Sequence, residues 1–168
     1  MRYFEQETDY TCGVACLRMV ISHFDDNVPT EAFLIPLLET NDRIGTKPCH
    51  IIKVAKDLGY EVIAGEKGTI ELLDEFRDKG YIVMMMVSVD VPHWVIYNGN
   101  NNNHAFFFDP YFGENQAHQL KHVKSDKRRF PFFRWRLKNS EFTPLLKTYP
   151  EYDFSVLESE QYYLAFKK

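Results

Sequence analysis

A cysteine in surroundings suited to a nucleophile lies near the start of the chain, at Cys12. Gly13 follows it directly, and an apolar pattern with helical spacing begins there. The first N–H groups of a helix lack intrahelical partners and favour negative charge, so a cysteine at this position is favoured as the reactive thiolate. Gln6 stands six positions earlier and carries an amide that can stabilise a developing oxyanion. We therefore expect Cys12 to be a nucleophile and Gln6 to belong to its oxyanion hole.

The residues beside Cys12 have simpler interpretations that must be weighed against this one. A cysteine at a helix start is often only a small buried apolar residue, so Cys12 needs a base and an orienting group elsewhere in the chain. Cys16 lies one turn further on, in line with Leu17 and Val20, and we interpret it as part of the core. Gly13 is expected to let the backbone approach a substrate closely.

The candidate base and its orienting group fall on a predicted β-hairpin. His93 opens an apolar strand over residues 93–97, the Asn-rich residues 98–103 predict a turn, and a second strand ends at Asp109. Because the start of one antiparallel strand lies beside the end of the next, His93 and Asp109 are expected at the same edge of the sheet. His93 would then act as general base, and Asp109 would orient its imidazole. His104 is the competing histidine, but it stands at the opposite end of its strand from Asp109.

A metal centre is the main chemical alternative to a cysteine nucleophile. Cys12 and Cys16 are one helical turn apart, and the chain has six histidines. The cysteines nevertheless lack the paired Cys-x-x-Cys spacing that many zinc sites use. We predict no metal and no cofactor.

The remaining elements are predicted from hydrophobic periodicity and from capping residues. Thr30 is expected to cap a second helix that Pro36 kinks or splits, and Thr46 to cap a third helix that Gly59 ends. The other predicted segments are helices over residues 13–24 and 69–79, strands over 60–64, 81–87 and 93–97, a helix or loop over 116–123, and a final edge strand over 161–166. The strand over residues 81–87 is apolar throughout, which is typical of a strand buried on both faces.

Composition limits the class of protein. With 168 residues and 45% apolar residues, the chain is expected to form one domain over residues 1–168. Three cysteines without the spacing of a secreted scaffold favour a reduced, cytoplasmic setting. The N-terminal residues contain no apolar segment of a signal peptide, and no apolar run approaches the ~18 residues that a membrane-spanning helix needs.

Residues 121–138 form a basic strip, with eight basic residues against one acidic residue. Within it Phe133, Trp135 and Leu137 alternate with basic residues, which predicts a strand with one apolar face. The strip is either the solvated face of a half-buried strand or a binding surface for an acidic peptide or nucleic acid. We favour the half-buried strand, and so do not expect nucleic acid as a partner.

The motifs together resemble a known family, the papain-like cysteine peptidases that process bacteriocin leaders at a double glycine. The resemblance lies in Gln6 with Cys12-Gly13-x-Ala15-Cys16-Leu17-x-Met19-Val20, in Gly45-Thr46 with the later Gly59-Tyr60, in His93-Trp94-Val95-Ile96-Tyr97, and in Asp109-Pro110-x-x-Gly113. It covers residues 1–113 in the right order. Residues 114–168 are unmatched and are interpreted as an extension of the same domain. Thr11 departs from the family pattern, which has Asp or Glu directly before Cys-Gly.

The resemblance implies an α+β, papain-like fold, with N-terminal helices packed on an antiparallel sheet. It also implies Cys12 as nucleophile, His93 as base, Asp109 as orienting group and Gln6 as oxyanion donor. The expected activity is cleavage of a peptide or protein substrate by a cysteine peptidase or amidase. Two alternatives stay open. One is an acyl or peptidyl transferase that uses the same residues, and the other is a non-catalytic binding module that uses the strip 121–138.

Overall fold

The fold was analysed in a computed structural model, which describes residues 1–65, 70–89, 91–101, 104–119 and 163–168. These residues form helices and strands in mixed order along the chain. The helices are α1 (Cys12–Phe24), α2 (Glu31–Leu37), α3 (Pro48–Asp57) and α4 (Ile70–Asp78), and the strands are β1 (Glu61–Gly65), β2 (Ile82–Val89), β3 (Val91–Asn100), β4 (His104–Asp109), β5 (Gly113–Gln119) and β6 (Tyr163–Lys167).

The strands form one antiparallel sheet in the order β1-β6-β2-β3-β4-β5. The last strand lies inside this sheet, with Ala165 paired to Ile63 on one side and to Val83 on the other. The predicted edge position of residues 161–166 is therefore wrong. The side chains of Leu164 and Phe166 are fully buried, which is consistent with an interior strand.

The sheet separates two apolar clusters, because successive side chains of a strand point to opposite faces. Met84 of β2 packs into the cluster that contains α1 and α3, and its neighbour Met85 packs into the cluster that contains α4. The prediction that this strand is buried on both faces is confirmed by the burial of both methionines. The predicted α+β class, with N-terminal helices on an antiparallel sheet, is also confirmed.

The helix ends follow the sequence signals in some places and depart from them in others. The Thr30 hydroxyl accepts the N–H of Phe33 at 3.3 Å, so the predicted cap of α2 is confirmed. The helix contains Pro36, which lacks the N–H that would bond the carbonyl of Ala32, and it ends at Leu37. Gly59 follows α3 with a φ of 87°, a conformation that glycine adopts without strain.

The predicted cap of α3 is wrong. This helix starts at Pro48, with Lys47 at the capping position and no side-chain cap. Proline suits the first helical position because its φ is preset and its missing N–H needs no partner there. Thr46 instead lies against Thr40, with 2.8 Å between the two hydroxyl oxygens.

The hairpin and the following segment differ from the prediction in three places. Strand β3 begins at Val91 and not at His93. Strand β3 continues to Asn100, with a register shift beside Gly99, so residues 98–100 belong to the strand and not to the turn. Residues 116–119 form part of β5, where we predicted helix or loop. The predictions for the basic strip 121–138, for the strand over 133–137 and for residues 120–123 lie outside the described residues.

Candidate active site

Cys12 is the first residue of α1 and is buried. At this position its backbone N–H has no intrahelical acceptor, and the helix dipole favours a negative charge on its side chain. The next residue packs against protein rather than against an open cleft. A Cβ on Gly13 would lie 2.7 Å from Thr46 Cβ and 2.9 Å from Trp94 Cδ1. The glycine therefore lets the start of α1 pack closely on these two side chains, and its role in approaching a substrate stays a prediction.

His93 and Asp109 meet as the hairpin predicts. The Nε2 atom of His93, the third residue of β3, lies 2.9 Å from Oδ1 of Asp109, the last residue of β4. Both side chains are buried, with Asp109 fully inaccessible. A buried histidine–carboxylate hydrogen bond fixes the orientation of the imidazole ring. The structure thus brings two of the predicted site residues into direct contact.

The carboxylate of Asp109 is itself held by the turn that follows it. Its Oδ1 atom also accepts the backbone N–H groups of Tyr111 at 2.8 Å and Phe112 at 3.1 Å. The Tyr3 hydroxyl donates to the backbone carbonyl of Asp109 at 2.9 Å. The N–H groups of His93, Tyr111 and Phe112 thus all reach Oδ1 of Asp109. These three hydrogen bonds fix the orientation of the carboxylate, with Oδ1 facing His93.

The imidazole of His93 also contacts the thiol of Cys12. Burial lowers the pKa of His93, but hydrogen bonds to Asp109 and Cys12, together with their negative charges, outweigh burial and raise this pKa to about 10. Since Nε2 is already bonded to Asp109, Nδ1 is the ring nitrogen that remains for Cys12. The three side chains form one connected line, with the ring between a thiol and a carboxylate.

Gln6 lies next to this line but makes its own local contacts. Its backbone N–H donates to the carbonyl of Pro110 at 3.0 Å, which ties the N-terminal segment to the turn after Asp109. Its side-chain Nε2 donates to the carbonyl of Thr8 at 2.7 Å. An amide nitrogen carries two hydrogens, so one donor is used inside the loop 6–11 and one is left for another acceptor. The oxyanion role of Gln6 stays a prediction.

The competing residues, Cys16 and His104, occupy other positions in the fold. Cys16 is fully buried, and its thiol donates to the carbonyl of Trp94 at 3.4 Å. Burial, followed by the nearby negative charges of Cys12, Asp109 and Glu31, raises the pKa of Cys16 well above its ordinary value. A thiol in this environment stays protonated and unreactive, which agrees with the predicted core role. His104 begins β4, at the other end of the strand from Asp109.

Sequence reasoning missed one charged residue close to this site. Glu31 begins α2, yet its side chain is fully buried beneath the loop 6–11 and contributes a negative charge at Cys16. Its position in the first turn of a helix is common for an exposed glutamate, so no sequence signal marks it as buried. Among the described residues, no group of three or more His, Cys, Asp or Glu side chains is placed to hold a metal ion.

Comparison with known proteins identifies the family. The model of the peptidase C39 family matches residues 1–125. The chain belongs to the peptidase C39 family. This membership supports cysteine peptidase activity, and it agrees with the family resemblance drawn from the sequence motifs.

Solved structures of C39 peptidases share the fold. The peptidase domain of Streptococcus ComA, a bifunctional ABC transporter involved in quorum sensing, has a TM-score of 0.60 and 24% identity over 72% of this chain and 89% of that domain. A double glycine motif protease from an AMS/PCAT transporter, solved with its leader peptide, has a TM-score of 0.59 and 18% identity over 71% and 80%. A protein described as a C39-like peptidase from Bacillus anthracis has a TM-score of 0.62 and 12% identity over 99% and 94%. At these identities the likeness establishes the papain-like fold alone.

Two further findings concern this C39 family member. No match was found among curated proteins. None of the helices in the described part of the chain is long and apolar enough to cross a membrane.

Proposed function

We propose that this C39 family member is a cysteine peptidase that cleaves a peptide bond through an acyl-enzyme on Cys12. The observation that carries the proposal is the buried line of contacts from the Cys12 thiol through the His93 ring to the Asp109 carboxylate. A nucleophile, a base and an orienting group in contact are the arrangement that nucleophilic catalysis requires. The family match supports the same activity.

His93 is protonated in the resting site. Because the pKa of His93 is raised to about 10, the imidazole holds a proton at neutral pH. In the proposed reaction His93 takes the proton of the Cys12 thiol, and the start of α1 favours the thiolate. The thiolate at the start of α1 is then ready to attack a carbonyl carbon.

Acylation and deacylation both use the proton on His93. The Cys12 sulfur forms a bond to the carbonyl carbon, and the carbonyl oxygen becomes an oxyanion. Collapse of this intermediate breaks the C–N bond, while Nδ1–H of His93 gives its proton to the departing amine. Water then attacks the thioester, His93 accepts a proton from it, and the acid product leaves Cys12. The carboxylate of Asp109 keeps the ring in line during both proton transfers.

The oxyanion has two candidate donors. The backbone N–H of Cys12 has no intrahelical acceptor, because this residue is the first of α1. The side-chain amide of Gln6 retains one N–H beyond its bond to Thr8. Donors aimed at the oxyanion contribute most of the stabilisation in such sites, and removing one typically lowers kcat by about 10²- to 10³-fold.

The proposed substrate class rests on a related protein. A related double glycine motif protease was solved in complex with its leader peptide. We propose that this chain also takes an extended peptide, and peptides with a double-glycine motif are the first to test.

Selective alkylation is the first experiment, because it needs no substrate. Limiting iodoacetamide is added between pH 4 and pH 9, and the modified cysteine is located by peptide mapping. Cys12 is expected to react first and well below pH 8, ahead of Cys16 and Cys49, and His93→Ala should abolish this preference. His104→Ala is the matched control and should preserve it. If Cys12 reacts no faster than an ordinary thiol with a pKa of about 8.5, the proposed couple is absent.

Cleavage of double-glycine peptides, followed by mass spectrometry, then separates hydrolysis from transfer. Hydrolysis gives a free acid product, and an acyl transferase gives a product joined to an added amine. Only the first outcome supports a peptidase.

A further inference from the structure

The loop 6–11, which joins the oxyanion donor candidate Gln6 to Cys12, rests on a buried carboxylate. The side chain of Glu31 has no accessible surface, although glutamate is rarely buried without a specific partner. Its Oε2 atom accepts the backbone N–H of Glu7 at 3.2 Å. The Thr11 side chain lies near this carboxylate and favours its charged form. One side chain of α2 thus holds the first part of the loop and lies beside its last residue.

The loop has a second layer of contacts that makes it compact. The Thr11 hydroxyl accepts the N–H of Thr8 at 3.1 Å, and the backbone N–H of Thr11 reaches the carbonyl of Thr8 at 3.3 Å. Thr8 in turn accepts the side-chain amide of Gln6 through its carbonyl. A displacement of Glu7 or Thr11 is therefore transmitted to the amide of Gln6.

Arg18 of α1 supplies the countercharge for Glu31. Its guanidinium Nη1 lies 3.9 Å from Oε1 of Glu31 and 3.8 Å from Oε1 of Glu7. The same side chain donates through Nε to the carbonyl of Pro29 and lies 4.2 Å over the ring of Phe4. The buried carboxylate is thus anchored to the helix that carries Cys12, and it is not free to follow the loop.

We propose that Glu31 is a positioning residue that sets the distance between the Gln6 amide and the start of α1, and so aligns the oxyanion hole. The inference deepens the proposed function and rests on it. Glu31 contacts neither the substrate nor the reacting atoms, and it acts through the Glu7 N–H. Because a misplacement of about 1 Å can lower a rate by 10²-fold, loss of this support should affect oxyanion formation most.

Two reagents separate oxyanion alignment from thiolate formation. Acetylation by p-nitrophenyl acetate forms a bond from the Cys12 sulfur to a carbonyl carbon, passes through an oxyanion and releases p-nitrophenolate. Alkylation by iodoacetamide forms a bond to a saturated carbon, releases iodide and creates no oxyanion. The ratio of the two rates at Cys12, measured by peptide mapping, therefore reports the alignment of the oxyanion hole.

Glu31→Ala and Glu31→Gln form the informative pair. Both remove the negative charge, but only glutamine keeps an oxygen that accepts the Glu7 N–H. We expect Glu31→Ala to lower the acetylation-to-alkylation ratio by about tenfold or more. Glu31→Gln should recover most of this loss. Glu71→Ala, which removes an exposed first-turn glutamate of α4, should leave the ratio unchanged.

Glu31→Met and Glu31→Gln provide a second pair that changes little volume. Methionine removes the oxygen that accepts the Glu7 N–H and should lower the ratio, and glutamine should restore it. This pair keeps the inference testable if Glu31→Ala does not fold.

The outcomes distinguish this inference from the proposed function. If wild-type Cys12 is neither alkylated nor acetylated selectively, the proposed function fails. If wild-type Cys12 reacts selectively but the ratio is the same in wild type and in folded Glu31→Ala or Glu31→Met, the positioning role of Glu31 is overturned. A fall in thermal stability with an unchanged ratio would show a purely structural role for Glu31.

Discussion

The carboxylate of Asp109 can be neutralised without removing any of its hydrogen bonds. Its Oδ1 atom accepts from His93, Tyr111 and Phe112, and its Oδ2 atom makes no hydrogen bond within the described residues. Asp109→Asn can keep the accepting oxygen in place and replace only Oδ2 by an NH₂ group. The substitution therefore removes one buried charge and leaves the orientation of the imidazole largely intact.

The expected effect is a lower pKa of His93. A close opposite charge typically shifts a pKa by about 1–3 units, which corresponds to about 1.4–4 kcal/mol. From a value of about 10, the pKa of His93 should fall to roughly 7–9 in Asp109→Asn. The imidazole of the variant should then lose its proton at a lower pH than in wild type. It should still lose less activity than Asp109→Ala, which also removes the three hydrogen bonds.

A histidine NMR titration measures this shift directly. The chain has six histidines, so the ring resonance of His93 is assigned by its loss in His93→Gln. Asp57→Asn is the matched control, because it removes an exposed carboxylate that pairs with Lys53 and lies outside the candidate site. The reasoning is refuted if His93 titrates at the same pH in wild type and Asp109→Asn, or if the wild-type midpoint lies near the ordinary 6.5.

Three further changes test the surroundings of the site. Gly13→Ala should destabilise the protein by about 1–3 kcal/mol in urea unfolding, because the new Cβ would overlap Thr46 and Trp94; an unchanged midpoint would contradict the packing role. Cys16→Ser should keep most of the peptide-cleaving activity, and complete loss would show that the wrong cysteine was chosen. The raised pKa of His93 stabilises the folded state fully below pH 6.5, and this contribution is lost as pH rises towards about 10. The free energy of unfolding should therefore fall over this range in wild type more than in His93→Gln, and equal falls would contradict a raised pKa.

The line of contacts at the site was predictable because each part has a local signal. A cysteine before a glycine at the start of an apolar helical pattern places Cys12 at a helix N-terminus. Two apolar runs separated by an Asn-rich stretch predict a hairpin, and antiparallel pairing brings His93 to Asp109. The contact survives the misjudged strand ends, because extending β3 to Val91 and to Asn100 leaves His93 in the strand and within reach of the end of β4.

The position of β6 and the identity of β5 depend on pairing between distant segments. Residues 163–167 have the sequence pattern of a strand, but no local signal indicates that this strand pairs between β1 and β2. Residues 113–119 are polar and poor in β-branched or aromatic residues, so their propensity does not favour a strand. Hydrogen bonding to β4 at the edge of the sheet decides their conformation.

The burial of the Glu31 side chain also could not be predicted from the sequence. A glutamate in the first turn of a helix is normally solvated, and the partners of Glu31, Glu7 and Arg18, lie 24 and 13 positions away in the chain.

The predicted cap of α3 was wrong for a local reason, because Pro48 fixed the helix start two residues after Thr46.

The most direct test of the central claim is detection of the acyl-enzyme. Wild type is mixed with a double-glycine peptide, quenched in acid after milliseconds to seconds, and analysed by intact-mass and peptide-mapping mass spectrometry. The account predicts a transient mass increase equal to the N-terminal acyl fragment, located on Cys12 and absent in Cys12→Ala. Cleavage of the peptide by Cys12→Ala at the wild-type rate, or an adduct on another residue, would contradict it.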